Sequence, residues 1–342
     1  MNGGKVKGSE IISEGGYGCV HRPSLSCDGN DTKNANYITK LQKHDFNSKN
    51  EINIGDLIRK YLSSKSINES FATIISSCQI NIKKIQPKTI SECSIINKAG
   101  NKSDFILHKM RYVGKDTLDD YILNKDNMAV FIHTLRHLLV GLKKVIDMKI
   151  VHFDIKGDNI LFDTKQSLPI IIDFGLSIPM NDITVDNLKE YLYVYEPKYH
   201  IWPLEVHYLN LLLHVTLEPD DGKLKELVNG VVGSKVMRPF TDSFKKRYAN
   251  KCYQILKQYN ILPIADRVAL LGTFWDTWDN YALSVLYLNL LFSINKPSDN
   301  KHPSNKFFRF ITELLVHNIH PDPNKRLSVE DTSISINTYF KI

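Results

Sequence analysis

Val151-His152-Phe153-Asp154-Ile155-Lys156-Gly157-Asp158-Asn159-Ile160-Leu161 sets a carboxylate, an amine and an amide at offsets of zero, two and five in one short polar loop. Each answers a separate demand of phosphoryl transfer. Asp154 can orient an attacking hydroxyl and accept its proton. Lys156 can neutralise charge on the moving phosphoryl group, and Asn159 can offer its amide oxygen to a hard magnesium ion. Nineteen positions after Asp154 comes Asp173, in Ile171-Ile172-Asp173-Phe174-Gly175. An acidic residue leaving a buried apolar strand can bridge magnesium and phosphates, while Gly175 lets the chain turn away.

Toward the N-terminus, Ile12-Ser13-Glu14-Gly15-Gly16-Tyr17-Gly18-Cys19-Val20 sits between two β-type runs. A glycine-rich hairpin there could lay its backbone N–H groups over phosphates, although the same glycines also suit an ordinary turn. Strand patterns cover Glu10 to Ser13, Tyr17 to Arg22, Tyr37 to Leu41, Phe71 to Ser77 and Phe105 to Met110. Glu51, Ile54, Ile58 and Tyr61 recur at helical spacing, which predicts a helix from Asn50 to Leu62 packed on that sheet. Ser24 to Asn36 and Pro87 to Lys102 read as surface loops. From Leu118 onward helical patterns dominate, apart from short apolar runs at Ile150 to Val151 and Pro169 to Ile172.

These motifs resemble the eukaryotic-type protein kinase superfamily over nearly the whole chain. The loop around Asp154 is similar to that family's His-Arg-Asp-x-Lys-x-x-Asn, and Asp173-Phe174-Gly175 to its magnesium motif. The resemblance implies an α+β, bilobal fold: a small β-rich N-lobe over residues 1–112 with one main helix, and a larger, mostly helical C-lobe over 113–342. It implies that Lys40 holds the α- and β-phosphates of ATP with Glu51 as its helix partner, eleven residues on. Met110 would back the adenine pocket, with Arg111 to Val113 as the hinge. Leu204-Glu205 resembles the close of the activation segment, Asp279 the residue that holds the catalytic-loop backbone, and Arg326 the partner of Glu205. In the family's pattern Ser13 takes the place of the first loop glycine and Phe153 that of the arginine before the catalytic Asp. An insertion at about 206–275, including a helix from Phe244 to Tyr259, is a possible partner surface. With the Asn-, Lys- and Ile-rich composition, it resembles kinases encoded by large cytoplasmic DNA viruses.

The activity implied is transfer of the γ-phosphoryl group of ATP to serine or threonine of protein substrates, with ATP and Mg2+ as cofactors and Lys156 arguing for Ser/Thr. A pseudokinase or nucleotide-binding scaffold, or a kinase of small molecules, are the alternatives. The threonine usual before the activation-segment close is not obvious, and Lys198 lies near its place. Forty-four basic and 37 acidic residues, net +7, are spread along the chain, so no specific nucleic-acid partner is expected. The start, Met1 to Glu10, lacks the apolar run of a signal peptide, and no stretch has the length of a membrane span. Cys19, Cys27, Cys78, Cys93 and Cys252 show no Cys-x-x-Cys spacing and are expected as reduced thiols. A cytoplasmic location follows, in the host cytoplasm or virion if the viral resemblance holds.

Overall fold

The computed structural model describes residues 9–15, 18–99, 104–125, 127–184, 186–294 and 305–341. The chain divides into two compact units: Met1–Lys115 with Asp163–Leu176, and Asp116–Phe162 with Ser177–Ile342. The sequence expectation of one boundary after Tyr112 therefore differs from this division, because the stretch carrying Asp173 clusters with the first unit.

In the first unit, strands β1 (Glu10–Gly15), β2 (Gly18–Arg22), β3 (Tyr37–Lys43), β4 (Phe71–Ala72), β5 (Ser76–Ile80) and β6 (Phe105–Arg111) follow in order. Five of them form an antiparallel sheet in the order β1-β2-β3-β6-β5. The run expected as one strand from Phe71 to Ser77 is two: β4 leaves this sheet and pairs in parallel with Leu168–Ile172. Helix α1 (Phe46–Tyr61) starts earlier than the apolar spacing predicts, because Asp45 caps it by accepting from the Ser48 amide. A short helix α2 (Ser64–Ser70) leads into β4.

Register gives the sheet two chemically different faces. Directly opposed residues share a face, so Val20, Lys40 and His108 stand together, as do Ile38 and Met110 two residues along. Cys19, Leu41 and Leu107 turn to the other face, into a core with Leu25, Ile80, Ile85 and Phe105. What closes that core corrects the expectation of a loop at Pro87 to Lys102: helices α3 (Pro87–Ile90) and α4 (Ser94–Ala99) bring Cys93 and Ile95 into it. The cysteine reading is corrected as well. Cys19 is disulfide-bonded to Cys93 and Cys27 to Cys78, leaving Cys252 as a buried thiol among the described residues.

The second unit is built around the helix Trp278–Ile294, whose described side chains are buried on nearly every side. Helix Met128–Asp147 packs on it, with Tyr287 donating to Thr134 at 2.9 Å. The stretch expected as an insertion, about 206–275, runs from within helix Leu204–His214 through helices Asp221–Val232, Asp242–Asn260 and Ile264–Gly272. Arg267 fastens it internally, donating to the carbonyls of Leu217 and Leu262 and pairing with Glu218. An apolar cavity of about 370 Å³, lined by Ile178, Leu188, Leu209, Val268 and Trp278 among others, lies between the insertion and the segment after Gly175. No described helix is long and apolar enough to cross a membrane.

His21 and His108 are fully buried in the first unit, and burial lowers their pKa from 6.5 to about 4 and about 3. Their neutral forms are favoured in the folded chain. Stability is therefore complete above the unfolded value near 6.5 and is lost as pH falls toward the folded values. For His21 the loss amounts to roughly 3 kcal/mol. Thermal melting between pH 7.5 and 4.5 is expected to show a falling midpoint, and His21→Leu to flatten that fall.

Candidate active site

Lys40 lies on β3 with its ammonium buried between two carboxylates, 3.1 Å from Glu51 and 2.8 Å from Asp173. Burial pulls its pKa down, but Asp173 and then Glu51 more than offset it and hold the ammonium above its ordinary range. Burial pushes Glu51 upward against the pull of Lys40, and Asp173 adds to the push. Two carboxylates share one cation, so the assembly keeps Lys40 charged. Gln42 also donates to Glu51, at 3.4 Å. The neighbouring residue on α1, Asn50, donates to the carbonyl of Gly175 at 3.1 Å, so successive residues of one helix hold both Lys40 and the turn after Asp173. Asp173 has a φ of 62°, a left-handed conformation held by its neighbours: the strand Leu168–Ile172 before it and the buried Phe174 after it, which packs edge-to-face on Phe71 at 5.7 Å.

The glycine loop is described only in part. Gly15 pairs with Gly18, while Gly16 and Tyr17 lie outside the described residues. Gly18 must lack a side chain, since a Cβ there would stand 2.6 Å from the carbonyl of Leu41. Ile12, Ser13 and Glu14 are exposed, and Glu14 accepts from the Ser94 amide at 2.7 Å. Val20 and the buried Met110 share the Lys40 face. Cys19, expected among the nucleotide-binding residues, turns its side chain to the opposite face and into the disulfide with Cys93; only its backbone belongs to the loop.

In the second unit, Asp279 at the head of the buried helix accepts from the amides of His152 at 2.6 Å and Phe153 at 2.9 Å. Burial raises its pKa, and those two donors work against the rise. The amides are thereby satisfied inside the protein and the loop is bent, with Phe153 at a φ of 69°. Asn159 donates to the Asp154 carbonyl at 3.0 Å and to Oδ2 at 2.7 Å, and Lys156 reaches the same Oδ2 at 2.9 Å. Phe153 stacks on Trp202 with ring centres 4.9 Å apart and leans on Trp278 at 5.8 Å, while Trp202 Nε1 donates to the Phe153 carbonyl at 3.0 Å. Glu205 and Arg326 form the expected ion pair, through two parallel bonds of 2.6 and 2.7 Å with both side chains fully buried.

The donors suit ATP and magnesium by their chemistry. The Lys40 ammonium could answer phosphate oxygens, and the Asp173 carboxylate and the Asn159 amide oxygen are hard ligands of the kind magnesium takes. Magnesium keeps several waters and phosphate oxygens, so it asks few ligands of a protein. No cluster of three or more His, Cys, Asp or Glu side chains among the described residues could hold a metal without such help.

Residues 55–335 match the protein kinase domain family. The chain belongs to that family. Its kinase domain is 27% identical over 143 residues to the mitogen-activated protein kinase kinase kinase nsy-1 of Caenorhabditis elegans, covering 41% of this chain and 9% of that protein. It is 24% identical over 156 residues to the cell division cycle 7-related protein kinase of Mus musculus, covering 42% of this chain and 28% of that one. With the serine/threonine-protein kinase Nek8 of Danio rerio the identity is 32% over 118 residues, 33% of this chain and 16% of that protein. The matched stretches thus cover less than a third of the length of each of these relatives. The family match starts at residue 55, beyond the glycine loop, Lys40 and Glu51, so the case for those residues is carried by the geometry of the sheet and α1.

One residue beside Asp154 escaped the sequence reading. The hydroxyl of Tyr199 donates a short hydrogen bond to Asp154 Oδ1, while Lys198, the residue noted near that place, is exposed. No spacing rule marks such a contact, because it depends on how the chain between Glu196 and Trp202 is folded back.

Arg326→Met is expected to cost about 3–5 kcal/mol, since it strands the Glu205 carboxylate in the interior. Replacing both partners, Glu205→Leu with Arg326→Met, is expected to recover most of that loss. Urea unfolding of the two variants checks both outcomes.

Proposed function

We propose that this kinase domain is a catalytically active serine/threonine protein kinase that uses ATP and Mg2+. The observation that carries the reading is the Asp154 carboxylate, oriented by Lys156 and Asn159 at 2.9 and 2.7 Å. Asp154 would take the proton of a serine or threonine hydroxyl as its oxygen bonds to the γ-phosphorus and the bond to the bridging oxygen of ADP breaks. Lys156, beside that carboxylate, would offset charge on the group in transit. Lys40 would hold the α- and β-phosphates, with Glu51 keeping the ammonium in place. Magnesium, when bound with ATP, neutralises phosphate charge, and Asp173 and Asn159 are the residues that would hold it. A pseudokinase reading is disfavoured because Lys40, Asp154 and Asp173 are all present and all held by partners.

Protein substrates follow from the family, and the insertion is a candidate surface for recognising them. Kinship with kinases of large cytoplasmic DNA viruses, and a host-cytoplasmic or virion location, are supported by composition and by the insertion. Independence from activation-segment phosphorylation is supported by Phe153, which packs between Trp202 and Trp278 where an arginine could have read a phosphate. Of the residues of that segment, Ser177 is fully buried and donates to the His152 carbonyl at 3.2 Å, so it is not an acceptor in this state.

Asp154→Ala is expected to abolish nearly all transfer of labelled phosphate to protein while leaving nucleotide binding largely intact. Asp173→Ala should weaken magnesium-dependent nucleotide binding as well. Ordinary turnover in the Asp154 variant would refute the assignment of the base. Phosphatase-treated enzyme should match untreated enzyme in initial rate, with no lag. A large loss restored by re-phosphorylation of Thr184, Tyr191, Tyr193 or Tyr195 would show that the segment does need a phosphate.

A further inference from the structure

The donors around Asp154 are unevenly distributed. An ionised carboxylate has about four acceptor positions, two on each oxygen. Lys156 and Asn159 both donate to Oδ2, and among the described residues Tyr199 alone donates to Oδ1. Oδ2 is therefore filled and Oδ1 keeps one acceptor position, so an incoming hydroxyl would meet Asp154 at the oxygen that Tyr199 already holds. The Tyr199 hydroxyl also lies 3.4 Å from the Lys156 ammonium, which places it against both residues assigned to the transfer step.

The ring of Tyr199 is anchored independently of its hydroxyl. It packs edge-on against Trp202 with centres 4.7 Å apart, and Trp202 is itself fixed by stacking on Phe153 and by its bond to the Phe153 carbonyl. The backbone is turned back on both sides, the Tyr199 amide donating to the Glu196 carbonyl at 3.0 Å and the Trp202 amide to the Tyr199 carbonyl at 3.3 Å. A phenol held by its ring and backbone presents its hydroxyl with little freedom left to lose.

We infer that Tyr199 is a positioning residue for this kinase: its hydroxyl fixes the rotation of the Asp154 carboxylate and directs the remaining acceptor position of Oδ1 at the substrate hydroxyl. The inference rests on Asp154 being the proton acceptor. Because Tyr199 belongs to the segment that ends at Glu205, it also ties the setting of the base to the folding of that segment. The alternative is that the Tyr199 hydroxyl stands where the substrate hydroxyl must come. The vacant position on Oδ1 favours the first arrangement, since base and donor can be engaged together.

The test compares steady-state phosphorylation of dephosphorylated casein, and autophosphorylation, by the full chain and by Tyr199→Phe and Tyr199→Leu. Phenylalanine keeps the ring against Trp202 and removes only the hydroxyl. The expected result is that kcat falls roughly tenfold or more in Tyr199→Phe while the KM values for ATP and casein stay within about twofold. Melting temperature should be unchanged, and Tyr199→Leu should be no more than slightly slower than Tyr199→Phe. Wild-type kcat in Tyr199→Phe overturns the inference; if Tyr199→Leu is then slow, the ring serves packing alone. A faster Tyr199→Phe with a lower KM for casein also overturns it and makes Tyr199 an occupant of the acceptor position. A wild-type chain that transfers no phosphate to casein or to itself fails at the earlier step, the reading of Asp154 as a base, and the inference falls with it.

Discussion

A carboxylate in the interior has to be met by donors, and Asp279 is met by the amides of the two residues before Asp154. This constraint runs through the second unit. Pinning the amides of His152 and Phe153 forces Phe153 into a left-handed backbone conformation and drives its ring between Trp202 and Trp278. The next residue is Asp154, and its direction is set by that bend. Trp202 carries the same influence into the chain before Glu205, whose buried pairing with Arg326 fixes the far end of the segment. Asp154, Tyr199 and Glu205 thus all rest on contacts that begin at one buried helix.

The first unit solves a different problem, keeping a cation in a buried place. Lys40 stays charged because Glu51 and Asp173 flank it, and those carboxylates are delivered by α1 and by the turn after Leu168–Ile172. The sheet separates this polar face from an apolar one by simple alternation. On the apolar face α3 and α4 complete the core, and the Cys19–Cys93 disulfide links it to the strand that follows the glycine turn. The chemistry of one face therefore depends on packing at the back of the same strands.

The insertion is held by its own polar contacts, above all those of Arg267. Its last helix shares an apolar cavity with the segment that follows Gly175, and none of Asp154, Lys156 or Asn159 lines it. The insertion thus packs on that segment through a cavity that these three residues do not line.

The sequence by itself determined the family and the identities of the charged residues, because Asp154, Lys156, Asn159 and Asp173 lie in short loops where spacing along the chain is spacing in the molecule. It also determined most strands of the sheet and the Glu205–Arg326 pair, the latter through matched family positions. Tertiary structure decided what spacing cannot encode. Pro87–Ala99 reads as a loop because its isoleucines are scattered among polar residues, and only the sheet behind them makes them a core. The cysteines find partners 51 and 74 residues away along the chain, distances that carry no local pattern. Cys19 belongs to the loop by sequence but faces away from Lys40 by the alternation of its strand. Tyr199 stands 45 residues from Asp154, and it reaches the carboxylate only because Trp202, stacked on Phe153, folds the chain back onto the loop that carries Asp154.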